Sequence, residues 1–168
     1  MEAIMTAHRE TEWRRYLFGR NPRKTLLRVW IWTICVNLIF HSLVLPITVS
    51  GSSMAPTYES GARNLVNKLS YLRHRPERGD VVVLQLKEEG GLLIKRIIGL
   101  PGENLSIRQG HIEINGRRLV DEYADVQIPW ESTTVSLGRD EFFFIGDNRA
   151  NSIYGVARQN QIVGKVLF

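Results

Sequence analysis

The chain has 168 residues, 43% of them hydrophobic and 23% charged, with a formal net charge of +5. That length leaves room for one domain and a small appendage, and the composition excludes a disordered chain. The excess charge sits at the amino end, where residues 1–28 hold seven Lys and Arg against three acids, so a partner that is nucleic acid or an anionic membrane surface is implied.

The segment after the basic arm decides between those two partners. Residues 29–49, VWIWTICVNLIFHSLVLPITV, carry no Asp, Glu, Lys or Arg and are enough to cross about 30 Å of hydrocarbon as a helix. Trp30 and Trp32 suit an interface near the start of the span, and the preceding cations predict a cytoplasmic amino terminus. Asn37, His41 and Ser42 interrupt the run, which leaves a buried helix of a soluble domain as the bland alternative. A cleavable secretory signal fits poorly, because its apolar region is normally about 7 to 15 residues long and ends at a small-residue cut site. The chain thus divides into a basic cytoplasmic arm at 1–28, a transmembrane anchor at 29–49 and an extracytoplasmic domain at 50–168, with membrane lipid rather than nucleic acid as partner.

Cys35, the single cysteine, falls inside the apolar run, which excludes an intramolecular disulfide and a Cys-based zinc cluster. His8, His41, His74 and His111 lack metal-ligand spacing, so neither a metal nor another cofactor is expected.

Beyond residue 50, short alternating or β-branched runs separated by Gly, Pro, Asn and Asp predict a mostly β domain. The expected strands are residues 64–68, 81–86, 92–98, 104–108, 111–114, 117–120, 141–145 and 162–168. Gln109-Gly110 and Asn115-Gly116 are hairpin signals, the second suited to a type I′ turn. Residues 121–134, including Trp130, read as a long connection lying against the domain.

Two residues carry candidate chemistry. Ser53 stands in Gly51-Ser52-Ser53-Met54-Ala55-Pro56-Thr57, after the β-like Ile47-Thr48-Val49, with Pro56 restricting the course of the loop. Lys95 stands in Leu92-Leu93-Ile94-Lys95-Arg96-Ile97-Ile98. Strand alternation puts Leu93, Lys95 and Ile97 on one face and Leu92, Ile94, Arg96 and Ile98 on the other, so each apolar row is broken by one cation. A serine is a weak nucleophile until a base takes its proton, and a lysine amine can be that base if burial lowers its pKa from about 10.4 toward neutrality. A drop of three units corresponds to roughly 4 kcal/mol. Taken singly, Ser53 is a loop residue and Lys95 a side chain able to snorkel from a strand edge. Taken together they form the working parts of a protease without histidine. The competing readings are a Ser-His-Asp hydrolase using Ser53, His111 and Asp147, and a non-enzymatic anchored β module that binds partners outside the membrane.

With these residues in place, the chain resembles the bacterial type I signal peptidases, membrane-anchored Ser/Lys proteases, over nearly its whole length. The resemblance rests on the apolar span, Ser53-Met54-x-Pro56-Thr57, Arg78-Gly79-Asp80-Val81-Val82, the run from Lys95 through Gly99-Leu100-Pro101-Gly102-Glu103, and Gly146-Asp147-Asn148-Arg149 with Ser152. It implies a signal-peptidase-like antiparallel β domain behind a single N-terminal transmembrane helix in the plasma (inner) membrane. The implied substrates are signal peptides of exported preproteins, cut through an acyl-enzyme without cofactor. It further implies Ser53 as nucleophile, Lys95 as general base, Ser152 as the hydroxyl that orients the lysine, and Asp147, Arg149 and Arg96 as supporting charges. The substrate would lie extended against residues 48–51 and 92–95, with Gly51, Ser52, Met54, Pro56 and Ile94 along its path.

Two departures stand out. Gly51 occupies the position where some family members place an oxyanion-binding hydroxyl, leaving Ser50 or Ser52 to substitute. The segment after Arg149 also lacks the arginine that the family sets opposite Asp147, leaving Arg158 or Arg149 to compensate. Two relatives by chemistry share the dyad: a specialised peptidase maturing conjugation or pilus proteins, and a self-cleaving repressor-type protein, whose DNA-binding module residues 1–28 are too short to form.

Overall fold

The computed structural model describes residues 21–86, 90–108, 110–120 and 132–167. The chain separates into two units, residues 1–42 and 43–168.

The first unit contributes a helix, α1, Pro22–Leu43. Pro22 suits the first helical position, where its missing N–H would have had no intrahelical partner. No acidic residue stands in the first turn. Arg23 and Lys24 therefore sit against the positive end of the helix dipole, and local helix stability does not explain them. The stretch Arg23–Leu43 has a mean hydropathy of 1.5 and is long and apolar enough to cross a membrane. Its apolar side chains point outward all round: Leu26, Val29, Trp30, Trp32, Val36, Leu38 and Phe40 are all more than half exposed.

The apolar run 29–49 is not one element. It is helical to Leu43 and becomes strand β1, Val44–Thr48. Pro46 supplies the reason, since within a helix its ring would clash with the preceding turn and its nitrogen could donate no hydrogen bond. β1 is the outermost strand of its sheet, where proline is tolerated.

The second unit is built from two antiparallel sheets. The strands are β2 Arg63–Asn67, β3 Val81–Gln85, β4 Leu92–Gly99, β5 Asn104–Arg108, β6 His111–Ile114, β7 Arg117–Arg118, β8 Thr133–Ser136, β9 Glu141–Ile145, β10 Tyr154–Arg158 and β11 Ile162–Leu167. Seven are ordered β1-β2-β11-β3-β4-β9-β10, and four are ordered β7-β6-β5-β8. Ile98 of β4 and Phe143 and Ile145 of β9 pack with Leu105 and Ile107 of β5 and Ile112 of β6, joining the two sheets. Behind the centre of the larger sheet, Val82, Leu84, Ile97, Phe142 and Phe144 form a second cluster. Met54, Val66, Val81, Val83 and Val166 form a third, beneath the serine loop.

The expected mostly β architecture is the observed one. Asn115 and Gly116 both have positive φ, 51° and 76°, as the hairpin signal requires. Three strands escape a reading of local pattern. β1 is hidden in the apolar run. β8 is Thr-Thr-Val-Ser, too polar to show an alternating pattern, and occupies part of the expected connection. β10 buries only Ala157. Residues 121–131, with Trp130, lie outside the described residues, as does Gln109.

Candidate active site

Ser53 lies in the turn after β1, and Lys95 lies midway along β4. Lys95 Nζ donates to Ser53 Oγ at 2.7 Å. Lys95 is 3% exposed. The ladder explains why an amine at this position faces a cleft. β4 pairs with β3 along residues 92–96, with Lys95 opposite Val82. On its other side β9 begins to pair only at Arg96, opposite Ile145, and continues toward Gly99. Among the described residues, the outer edge of residues 92–95 is therefore open, and Lys95 stands where the pairing stops.

β1 offers the other open edge, being bonded among the described residues only to β2. Between the two edges is a cleft of about 280 Å³, walled by residues 47–50 and 92–95 and completed by Ser53, Met54 and Val83. Of the substrate-binding residues expected from the sequence, Met54 and Ile94 line this cleft, whereas Gly51, Ser52 and Pro56 do not. Gly51, at φ +90°, turns the chain, and a cis bond joins Ala55 to Pro56. Ser50 lines the cleft, which separates it from Ser52.

The serine loop is pinned from the opposite side by the segment after β9. The Asn148 N–H donates to the Ser53 carbonyl at 3.0 Å. The Gly146 N–H donates to Ser152 Oγ at 2.8 Å, and that hydroxyl donates to the Ile153 carbonyl at 2.9 Å. A Cβ on Gly146 would run into both the Ser53 carbonyl oxygen and Ser152 Oγ. Glycine is required here by close approach of two chains.

The charged partner of Asp147 is Arg96, which corrects the expectation that its arginine was missing. Arg96 Nε and Nη2 donate to Asp147 Oδ1 and Oδ2 at 2.8 and 2.6 Å. The two side chains are 7% and 0% exposed. Arg158 instead lies 3.9 Å from Glu141. The sequence signals only the need for a partner: a cation in the apolar row opposite Lys95 must find a carboxylate or leave the core, but local pattern does not say which carboxylate. Arg149 is 1% exposed and opens a short 3-10 turn, Arg149–Asn151.

The Arg78-Gly79-Asp80 motif braces the same strand. Arg96 Nη1 donates to the Gly79 carbonyl at 2.6 Å. Arg78 donates to the Ile98 carbonyl, and its Nη2 donates to Glu103 Oε1 at 2.6 Å. Asp80 accepts from the Tyr71 hydroxyl at 2.9 Å and the Glu77 N–H at 3.0 Å, and pairs with Lys165 at 2.5 Å. Burial first, then the hydrogen bond to Asp80 and the charges of Asp80 and Glu77, push the Tyr71 hydroxyl above its ordinary pKa. Burial likewise raises that of Tyr58, with Arg96 opposing and Asp147 adding to the shift. Neither tyrosine stands in a motif that would single it out from sequence.

His111 lies on β6, in the smaller sheet, with both ring nitrogens about 3 Å from Arg118 Nη2, at 2.9 and 3.0 Å. Among the described residues no cluster of three or more His, Cys, Asp or Glu could hold a metal ion.

Residues 23–168 match the family described as signal peptidase, peptidase S26. The chain belongs to this family. It is similar to signal peptidase I P of Bacillus subtilis subsp. natto, 32% identical over 88% of this chain and 91% of that protein. It is similar also to a signal peptidase I of Bacillus amyloliquefaciens, 33% identical over 78% of this chain and 76% of the other. A solved signal peptidase I from Enterococcus faecalis V583 aligns with 55% of this chain and 97% of its own at 24% identity, with a TM-score of 0.49. Family membership makes the chain a peptidase of signal peptides, and the N-terminal apolar helix is consistent with membrane anchoring.

Proposed function

We propose that Ser53 is the acylating nucleophile of this signal peptidase and Lys95 its general base. One observation carries the reading: the amine of a lysine only 3% exposed stands 2.7 Å from a serine hydroxyl that lines an open cleft. Burial penalises the ammonium form and favours the neutral amine that a base must be. The same separation lets that amine take the hydroxyl proton as Oγ bonds to the scissile carbonyl carbon. The resulting ammonium then protonates the leaving amine, the C–N bond breaks, and an ester to Ser53 remains. Water then attacks the ester carbon with Lys95 accepting its proton, the bond from that carbon to Ser53 Oγ breaks to release the carboxylic acid product, and the Lys95 ammonium returns the proton to Oγ.

The developing oxyanion needs donors placed in advance. The Ser53 backbone N–H is one, and Ser50 is the better placed of the two neighbouring hydroxyls because it faces the cleft. An extended preprotein segment laid between β1 and residues 92–95 would complete both open edges, giving affinity through main-chain bonds and selectivity through alternate side chains. Met54 and Ile94 would limit side-chain size there. Ser152 holds Gly146 and so positions the wall behind the dyad, while Arg96 and Asp147 fix the strand and the turn on which that wall depends.

The basic residues before α1 favour a cytoplasmic amino terminus, with lipid around the helix and the β unit on the extracytoplasmic side. Cations in a helix first turn, where the dipole opposes them, fit that role. No metal takes part in this scheme.

The test is one mutant set on a preprotein with an Ala-x-Ala cut site. Ser53→Ala and Lys95→Ala lose cleavage, while His111→Ala retains it. Loss in His111→Ala with retention in Lys95→Ala would reverse the assignment.

A further inference from the structure

The membrane helix carries a polar stripe that its own backbone satisfies only in part. Thr33, Asn37 and His41 come at intervals of four, which keeps them within about 80° of one another around the helix. All are exposed. Thr33 Oγ1 donates to the Val29 carbonyl at 2.9 Å, and Ser42, on another face, donates to the Leu38 carbonyl at 2.8 Å. Those hydroxyls are provided for within the helix. Asn37 is different. Its Nδ2 donates to the Thr33 carbonyl at 3.2 Å, which uses one of two N–H groups and leaves Oδ1 without a donor among the described residues. His41, one turn further on, makes an edge contact with the Phe40 ring and no hydrogen bond among the described residues.

Asn37 lies about 6 Å along the axis from Thr33, the middle residue of the span Arg23–Leu43. At that depth water does not reach an exposed carboxamide, so its remaining donor and acceptor call for another polar group inside the bilayer. An apolar signal segment offers none. A second copy of this helix does, at the same depth, because identical chains inserted by the same charge asymmetry run parallel. A carboxamide both donates and accepts, so Asn37 is self-complementary across a two-fold axis.

We propose that α1 associates with a second copy of this chain through the face bearing Thr33, Asn37 and His41, with the two Asn37 carboxamides hydrogen-bonded to each other. This rests on the membrane-spanning reading of α1 and on nothing in the catalytic scheme. The native Cys35 lies on the far side of the helix, about 160° from Asn37, whereas Ile34 flanks the stripe at about 60°.

The experiment uses the full chain in liposomes of phosphatidylethanolamine and phosphatidylglycerol. Carbonate extraction first reports whether the chain is integral; release into the soluble fraction would overturn the membrane reading and with it this proposal. In an integral chain, mild oxidation is expected to give disulfide dimers with Ile34→Cys in a Cys35→Ala background and none through native Cys35. Adding Asn37→Leu is expected to weaken association by roughly three- to thirty-fold in a fluorescence-transfer titration against lipid, with peptide cleavage retained. Equal cross-linking at both positions, absence of dimer at either, or cross-linking of position 34 to a cysteine-bearing signal peptide in preference to a second copy would each overturn the proposal.

Discussion

Arg96 and Asp147 are joined by two hydrogen bonds, of 2.8 and 2.6 Å, in a part of the core where both side chains are almost wholly buried. Each adjoins a residue of the proposed site: Arg96 comes directly after Lys95 in β4, and Asp147 lies between Gly146 and Asn148, which hold Ser152 and the Ser53 carbonyl. Removing the arginine alone would strand a buried carboxylate, which typically costs about 3–5 kcal/mol. Arg96→Ala is therefore expected to lower thermal stability sharply and to abolish cleavage with it. Arg96→Met paired with Asp147→Leu, which removes both members of the ion pair, should recover most of the stability. Thermal unfolding of the three chains measures this, and an Arg96→Ala protein as stable as the parent would contradict it.

The β character of the domain, the serine loop and the lysine strand are legible in sequence because each has a local signature: alternation, Gly and Pro punctuation, and a cation in an apolar row. The pairing of Arg96 with Asp147 is not, because it joins residues far apart in the chain through sheet order, and local pattern carries no information about which strand neighbours which. The cleft is illegible for the same reason. It exists because β9 begins to pair with β4 only at Arg96, a matter of register rather than composition.

Gly146 gives the most local test of the geometry around the proposed nucleophile, Ser53. Any β-carbon there presses on the Ser53 carbonyl and on Ser152 Oγ. A displacement of about 1 Å in a reacting group can lower the rate roughly 100-fold. Gly146→Ala is expected to reduce kcat by that order, while circular dichroism shows the β fold intact. Unchanged kcat would mean that the turn yields without moving the serine.

The proposed scheme and the fold are expected to respond to pH in opposite directions. If Lys95 is the base, kcat/KM rises with pH as the ammonium gives up its proton and then levels off, and added chelator leaves the curve where it was. Fold stability moves the other way in alkali. The Tyr71 pKa is raised in the folded chain by burial and by Asp80, so above the unfolded value of about 10 the unfolded state loses a proton that the native state keeps. That contribution is complete below pH about 10 and declines as pH rises beyond it. Tyr71→Phe should flatten the alkaline loss of stability without shifting the rise in activity. A rise that shifted with Tyr71→Phe would show that the tyrosine, rather than the lysine, sets it.

Asn64 offers a gain rather than a loss. It is 8% exposed on β2, opposite Ile47 of β1, and its Nδ2 has no hydrogen-bond partner among the described residues. Val66, two residues on and on the same face, belongs to the apolar cluster with Met54 and Val83. A buried donor left unsatisfied costs about 1–3 kcal/mol, whereas an apolar side chain of similar volume has nothing to satisfy. Asn64→Leu is expected to stabilise the β unit of the full chain by about 1 kcal/mol or more, read as a higher unfolding midpoint in detergent. Asn64→Ala, which removes the amide but also leaves a void, should gain less than Asn64→Leu or lose stability. Destabilisation by Asn64→Leu would show that the amide is hydrogen-bonded in solution and that the polar residue belongs where it stands.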